Sequence, residues 1–254
     1  MTGQMLSGKV AVITGAGRGI GKACAQVFVR EGAKVLAVDI SGQEQQTAAE
    51  LGEAVVPFHA DVSKEDQVEA MFAAALDAFG RVDASLHIAG TQAKREEGEV
   101  TMEEYDLMTP VNLLGVMLCS KHAVRAMTRN GEGGSIVNMT SVGGLNTEDQ
   151  APISYAAAKS GVHAFTRSLA VQFGAKGIRA NVLAPGFTVT EMLEHLPADI
   201  LADVLTHMGE KNCIGRPGQA SEQAEVAAFL ASDRSSFISG AILPVDGGWS
   251  IRMA

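Results

Sequence analysis

Apolar residues along this chain fall into seven short, β-rich runs separated by longer amphipathic stretches. The runs are VAVIT (10–14), VLAVD (35–39), AVVPFHAD (54–61), ASLHIAG (84–90), SIVNMTS (135–141), IRANVLAPG (178–186) and AILPVDGG (241–248). Runs that are apolar on both faces suit strands of a parallel sheet covered by helices, and their alternation with helical segments predicts an α/β fold. The expected architecture is a doubly wound, Rossmann-like parallel sheet of about seven strands with helices on both faces. Helix punctuation supports the intervening elements. Ser63 with Asp66 three residues on opens a helix that Gly80 closes, and Thr101 with Glu104 opens the next. Pro110 has no N–H to donate, so it predicts the end of that helix and places Asn112 in the first turn of another. The stretch 187–218 lies outside the rhythm and reads as an insertion between a strand and a helix. No repeat beyond the βα alternation, low-complexity tract or linker interrupts the pattern, so residues 1–254 read as one domain.

Composition narrows the function. Of 254 residues, 46% are hydrophobic, which supplies a large core, and the formal net charge of −9 gives no basic footprint for a nucleic-acid backbone. The 20 Lys and Arg are scattered, so nucleic acid is not an expected partner. Cys24, Cys119 and Cys213 are odd in number and far apart, and read as reduced core thiols rather than a disulfide framework or metal site. The opening MTGQMLSGK lacks the apolar stretch of a signal peptide, and no run approaches the ~18 apolar residues of a membrane span. The expectation is a soluble cytoplasmic protein without a membrane partner, in which the Asn138-Met139-Thr140 sequon carries no meaning.

The first strand runs into TGAGRGIG (14–21), a turn suited to holding a phosphate. A nucleoside triphosphate loop requires Gly-Lys followed by Ser or Thr, whereas Gly21-Lys22 is followed by Ala23. The strict Gly-x-Gly-x-x-Gly spacing also fails, since Ile20 falls at its last place when counted from Gly15. What remains is Gly15-x-x-x-Gly19-x-Gly21 opening a helix, which still turns backbone amides and a helix N-terminus towards a pyrophosphate. Asp39, ending the second strand, suits the ribose hydroxyls of NAD and would repel the extra phosphate of NADP. NAD is therefore the expected cofactor and NADP the less favoured one, with Arg18 in the turn as a counter-signal. Asp61, after the third strand, could bond an adenine amino group with Val62 packing on the ring; a turn aspartate is the alternative.

SYAAAKSG places Tyr155 and Lys159 one helical turn apart on one face. Lowering a phenol from a pKa of about 10 to about 7 requires roughly 4 kcal/mol. One ammonium at about 4 Å and an effective dielectric near 20 supplies about that much. Such a pair can exchange a proton with an alcohol or carbonyl near neutral pH, although the same spacing is common on solvated helix faces. Ser141 could donate to the same oxygen. Neither a Gly-x-Ser-x-Gly elbow nor a His-Glu-x-x-His pair is present, so His59, His87, His122, His163, His195 and His207 read as surface or core residues and no metal site is expected.

In this order and at these spacings, TGAGRGIG (14–21), HADV (59–62), Ala89-Gly90, Asn112 in VNLLG, Ser141, YAAAK (155–159), IRANVLAPGFTVT (178–190) and VDGG (245–248) resemble the short-chain dehydrogenases/reductases over nearly the whole chain. The resemblance implies a catalytic tetrad: Tyr155 as general acid/base, Ser141 steadying the substrate oxygen, Lys159 lowering the tyrosine pKa and binding the nicotinamide ribose, and Asn112 holding a relay water through its carbonyl. It implies cofactor contacts at Gly15, Arg18, Gly19, Ile20, Gly21, Asp39, Asp61, Val62, Ala89 and Gly90. Main-chain contacts from Pro185, Gly186 and Thr188, with the Thr190 hydroxyl, would then meet the carboxamide. Similar proteins are usually homotetramers, and the 187–218 insertion would form a substrate lid bearing Met192, Leu193, Leu196, Leu201, Leu205 and Met208, with a plain packed amphipathic helix as the alternative. Two departures stand out. His87-Ile88 replaces the family's usual Asn-Asn, and the Ser141–Tyr155 segment is one residue longer than usual and holds Glu148 and Asp149, read as a solvated loop or as a border of the substrate site. The expected activity is NAD-dependent hydride transfer between the nicotinamide and a small secondary alcohol or ketone. The alternatives are an NADPH-dependent 3-oxoacyl-thioester reductase and a non-catalytic dinucleotide-sensing protein on the same fold.

Overall fold

The computed structural model describes residues 3–92, 100–146, 152–193 (the Met192 side chain apart) and 196–252. Glu148, Asp149 and His195 lie outside the described residues. In chain order the elements are β1 (Val10–Thr14), α1 (Gly19–Arg30), β2 (Lys34–Asp39), α2 (Glu44–Leu51), β3 (Val55–His59), α3 (Glu65–Phe79), β4 (Ala84–His87), α4 (Met102–Thr109), α5 (Val116–Asn130), β5 (Gly134–Met139), α6 (Ile153–Phe173), β6 (Ile178–Pro185), β7 (Thr188–Val189), α7 (Ala198–Glu210), β8 (Gly218–Gln219), α8 (Ala220–Ala231) and β9 (Ile242–Val245). Seven strands form one parallel sheet in the order β3-β2-β1-β4-β5-β6-β9, and β7 pairs with β8 in a separate two-stranded ribbon.

Side chains along a strand alternate between faces, and here both faces are apolar. Ala11, Ile13, Val35 and Ala37 join one core layer with Phe28 of α1 and Leu230 of α8. Val12, Leu36 and Val38 join the other with Phe72 of α3, Met127 of α5 and Leu169 of α6. The expected doubly wound architecture is therefore present. The chain steps outward from β1 to β3 and returns to β4 on the other side of β1, so the strand order reverses between β1 and β4. Ligands of open parallel sheets bind at such a point, outside the carboxyl ends of the strands.

Three local expectations are corrected. Pro110 does not end a helix: α4 passes through a π-helical segment, Pro110–Gly115, directly into α5. Widening the turn tolerates a residue that lacks an N–H and whose ring would collide with the preceding turn of a regular helix. Asn112 thus sits inside one helical run rather than in the first turn of a second helix. The run Met102–Asn130 is long and apolar enough to cross a membrane by length and composition, but α5 packs into the protein against α3, β4 and β5. Ser63 does not cap α3, whose N-cap is Lys64; its amide donates instead to Asp61 Oδ1 at 2.9 Å. Gly80 does close α3 in the left-handed region, and the Thr101 side chain does accept from Glu104 N. Cys24 and Cys119 are buried and burial pushes both thiols up, whereas Cys213 is exposed rather than in the core.

Candidate active site

The glycine turn leaves β1 at the strand-order reversal. Gly15 has φ +70°, and a methyl group there would stand 2.9 Å from Ala89 N, so the turn and the Ala89-Gly90 segment after β4 are in contact. Thr14 Oγ1 fastens them by accepting from Ile88 N at 3.0 Å and Ala89 N at 3.2 Å. Asp39 reaches back from β2: Oδ2 accepts from Gly17 N and Oδ1 from Ser41 N, both at 2.9 Å. The carboxylate is fixed at the rim of the turn with lone pairs remaining for a further donor. Arg18 is the extended, exposed N-cap of α1, and Gly19, Ile20 and Gly21 open that helix, where amides have no intrahelical acceptor. Gly17 and Thr14, within the same motif, hold this turn together alongside the residues expected there.

Asp61 accepts from Ser63 N, the turn role that was the alternative reading, and Val62 packs against the π segment, where a methyl on Gly115 would lie 2.9 Å from Val62 Cγ2. Buried Asn112 holds the segment after Gly90 through Nδ2 to Thr91 O at 2.8 Å and Oδ1 from Thr91 N at 3.2 Å. A methyl on Gly90 would meet Asn112 Oδ1 at 3.0 Å and Lys159 Nζ at 3.5 Å, so these two side chains border one point.

Ser141 follows β5 and caps a 3-10 turn, its Oγ accepting from Gly143 N at 3.1 Å. Gly144 lets this turn lie directly on α6, since a methyl there would press on Lys159 Cβ at 3.1 Å and His163 at 3.2 Å. Ser141 Oγ and the Tyr155 ring border one point there, 3.6 and 3.8 Å from where a Gly143 methyl would be. Lys159 is 3% exposed, with Nζ 5.6 Å from the centroid of the Tyr155 ring and 3.4 Å from Met139 O. Burial brings the Lys159 ammonium down to about 8. Burial also pushes the Tyr155 phenol above its ordinary value, with the Ser141 hydrogen bond pulling it partly back. Desolvation therefore dominates the Tyr155 phenol in the free protein, against the lowering expected from the ammonium alone.

The loop after β6 completes the site. Gly186 N donates to Val245 O at 3.1 Å, beside buried Pro185. The Thr188 hydroxyl donates to Gly186 O at 3.1 Å and accepts from Gln223 Nε2 at 3.3 Å, leaving its main chain and one lone pair for a ligand. Thr190 leans over the glycine turn, its Cγ2 3.3 Å from where a Gly19 methyl would be. On α7, Leu201, Leu205 and Met208 are half-buried along one face, as are Leu193 and Leu196 before it.

The departure at His87 has a structural answer. Its ring is buried beneath the site, bonding Ser85 Oγ at 2.8 Å through Nε2 and Asn138 Oδ1 at 2.7 Å through Nδ1, and Asn138 Nδ2 continues to Thr166 of α6 at 2.9 Å. This polar chain ties β4 and β5 to the helix that carries Tyr155 and Lys159. Burial holds His87 down to about 4, so it is neutral in the folded protein and protonated more readily in the unfolded chain. Stability it contributes is therefore present above the ordinary histidine range and is lost as pH falls from about 6.5 to about 4, by on the order of 3 kcal/mol. Urea titrations across this range should show a steeper loss of stability in wild type than in His87→Asn; parallel profiles would remove His87 as the source. His122 and His163 are also buried, and His59 and His207 exposed. Among the described residues no group of three or more His, Cys, Asp or Glu could hold a metal ion.

A parallel sheet with a glycine turn and a Ser-Tyr-Lys set at its carboxyl edge defines a dinucleotide-dependent oxidoreductase, and comparison with known proteins makes this specific. A family model described as enoyl-(acyl carrier protein) reductase matches residues 15–250. The chain is 39% identical to cis-4-hydroxycyclohexanecarboxylate dehydrogenase of Sinomonas cyclohexanicum over 98% of this chain and 99% of that one. It is 39% identical to levodione reductase of Leifsonia aquatica (95% and 94%) and 36% identical to a 3-oxoacyl-[acyl-carrier-protein] reductase of Thermotoga maritima (96% and 98%). The chain belongs to the short-chain dehydrogenase/reductase family. It is an oxidoreductase of secondary alcohols and ketones, and its family implies a nicotinamide cofactor.

Proposed function

We propose that this oxidoreductase uses NAD and interconverts a cyclic secondary alcohol and its ketone, with Tyr155 moving the proton. The observation that carries the reading is that Ser141 Oγ and the Tyr155 ring border one point beside Gly143, with the Lys159 ammonium next to that ring. The glycine turn suits the cofactor's pyrophosphate, since bulk is excluded where Gly15 meets Ala89 and the amides that open α1 have no intrahelical acceptor. Asp39 would take the adenosine ribose hydroxyls, Asp61 and Val62 the adenine, and Pro185, Gly186, Thr188 and Thr190 the carboxamide. When bound, the nicotinamide supplies the hydride acceptor or donor and a positive charge in its oxidised form.

Ser141 Oγ would hold the substrate oxygen while Tyr155 Oη takes its proton on oxidation or returns it on reduction. Lys159 stabilises the phenolate, and the Asn112 carbonyl, in the widened π turn, would hold a water that passes the proton outward. A positive charge brought close to Tyr155 lowers its pKa, so the raised phenol of the free protein is retuned on binding. The ring-shaped substrate class is supported by one relative named for a hydroxycyclohexanecarboxylate and another named for a dichlorocyclohexadienediol, and the half-buried apolar face of α7 suits such a ring. We include self-association in the reading: Tyr105, Leu114, Met117 and Ile153 are exposed apolar residues around the helices of the site. A panel of cyclic and acyclic alcohols and ketones, followed by reduced-cofactor absorbance with NAD and NADP side by side, tests the whole assignment. Turnover of cyclic substrates with NAD is expected; exclusive turnover of acyl-thioester ketones with NADPH would replace it.

A further inference from the structure

The 3-10 turn Glu191–Leu193 begins the segment between β7 and α7, and its first side chain lies over the glycine turn. Glu191 Oε2 accepts from Gly19 N at 2.8 Å. Gly19 opens α1, where a partial positive charge attracts anions. A negatively charged side chain from the lid therefore sits on an amide that the proposed cofactor's pyrophosphate would use. Thr190 and Glu191 stand over the same glycine, 3.3 and 3.9 Å from the position of its absent methyl. A dinucleotide running from Asp39 to Tyr155 must cross this contact.

We propose that Glu191 is a built-in competitor of the cofactor's diphosphate, docking on Gly19 in the free enzyme and leaving when the diphosphate arrives. The inference rests on the dinucleotide reading above. The apparent dissociation constant equals the intrinsic one divided by the fraction of molecules with Glu191 undocked. If the contact is formed in about nine molecules of ten, it weakens cofactor binding about tenfold. The far end of α7 is stitched to the carboxyl-terminal strap through Cys213 N to Gly247 O at 2.8 Å and Arg252 Nη1 to Asn212 O at 3.0 Å, and Lys211 Nζ lies 5.4 Å from the Trp249 ring centroid. Trp249 is the only tryptophan of the chain, so its emission reports on this junction.

The test is calorimetric binding of NAD, ADP-ribose and adenosine to wild type, Glu191→Gln and Glu191→Ala. Glu191 is exposed, so both variants should fold with an unchanged melting temperature. NAD and ADP-ribose should bind three- to tenfold tighter to either variant, while adenosine, which lacks the diphosphate, should bind equally to all three proteins. ADP-ribose should change Trp249 emission in wild type and change it less in the variants, whose lid is already released. Unchanged or weaker binding of NAD and ADP-ribose by both variants overturns the proposal, as does an equal gain for adenosine. If wild type binds neither NAD nor NADP, the dinucleotide reading itself falls, an outcome distinct from a wild type that binds and variants that bind no better.

Discussion

Replacing Tyr155 by phenylalanine is expected to lower turnover by a factor of roughly 10³ or more while leaving NAD affinity within a few-fold. The substitution removes one oxygen. Ser141 keeps its bond from Gly143 N and Lys159 its bond to Met139 O, so the frame survives. What disappears is the group that carries the proton, and general acid–base catalysis contributes about 10²–10⁴ in rate. Single-turnover measurements with calorimetric cofactor binding separate the two effects; more than a tenth of wild-type turnover in the variant would exclude Tyr155 from the role. The pH dependence follows from the same pair. Both groups hold their protons at neutral pH in the free protein, and the Lys159 ammonium gives its proton up near 8. Alcohol oxidation needs a site that can accept a proton, so its kcat/KM should rise with pH through about 8. Ketone reduction needs the proton in place and should fall over the same interval.

How much of this could be read from the chain depended on how local the cause was. β1 has the expected bounds, and the other strands begin or end within a few residues of theirs, because apolar runs with two buried faces have few places to go other than a sheet covered by helices on both sides. The adjacency of Tyr155 and Lys159 is legible for a similar reason: four residues on a helix is a fixed geometry. Non-local causes stayed hidden. Pro110 is a helix breaker by itself, yet α4 and α5 are held in line by packing against α6 and α3, and the π turn absorbs the misfit. The raised Tyr155 pKa comes from neighbours distant in sequence. His87 looked like the loss of an amide, but Ser85, Ser120 and Asn138 supply a buried polar chain that no spacing in the sequence announces. Glu191 reaches a glycine 172 positions away, a contact that only the folded lid creates.

Asp39→Ala combined with Ile40→Arg is expected to move cofactor preference from NAD towards NADP by about two orders of magnitude in the ratio of kcat/KM values. Two terms act. The carboxylate of Asp39 is pinned by Gly17 N and Ser41 N, so it cannot swing away from a phosphate on the adenosine ribose. Like charges at about 4 Å and an effective dielectric near 20 repel by about 4 kcal/mol, and roughly half of this survives at a half-exposed rim. Removing the carboxylate alone should relieve that repulsion but also leave Gly17 N without its acceptor, loosening the turn and raising the KM for NAD about tenfold. Ile40 is 59% exposed, so an arginine there has room to reach a phosphate with charge-assisted hydrogen bonds. Arg18, exposed at the mouth of α1, would add to the same field. Comparing wild type, Asp39→Ala and the double variant with both cofactors resolves the terms: the single variant should lose discrimination, and only the double variant should reverse it. A wild type that already prefers NADP would mean that Arg18 outweighs Asp39, and the cofactor assignment would change accordingly.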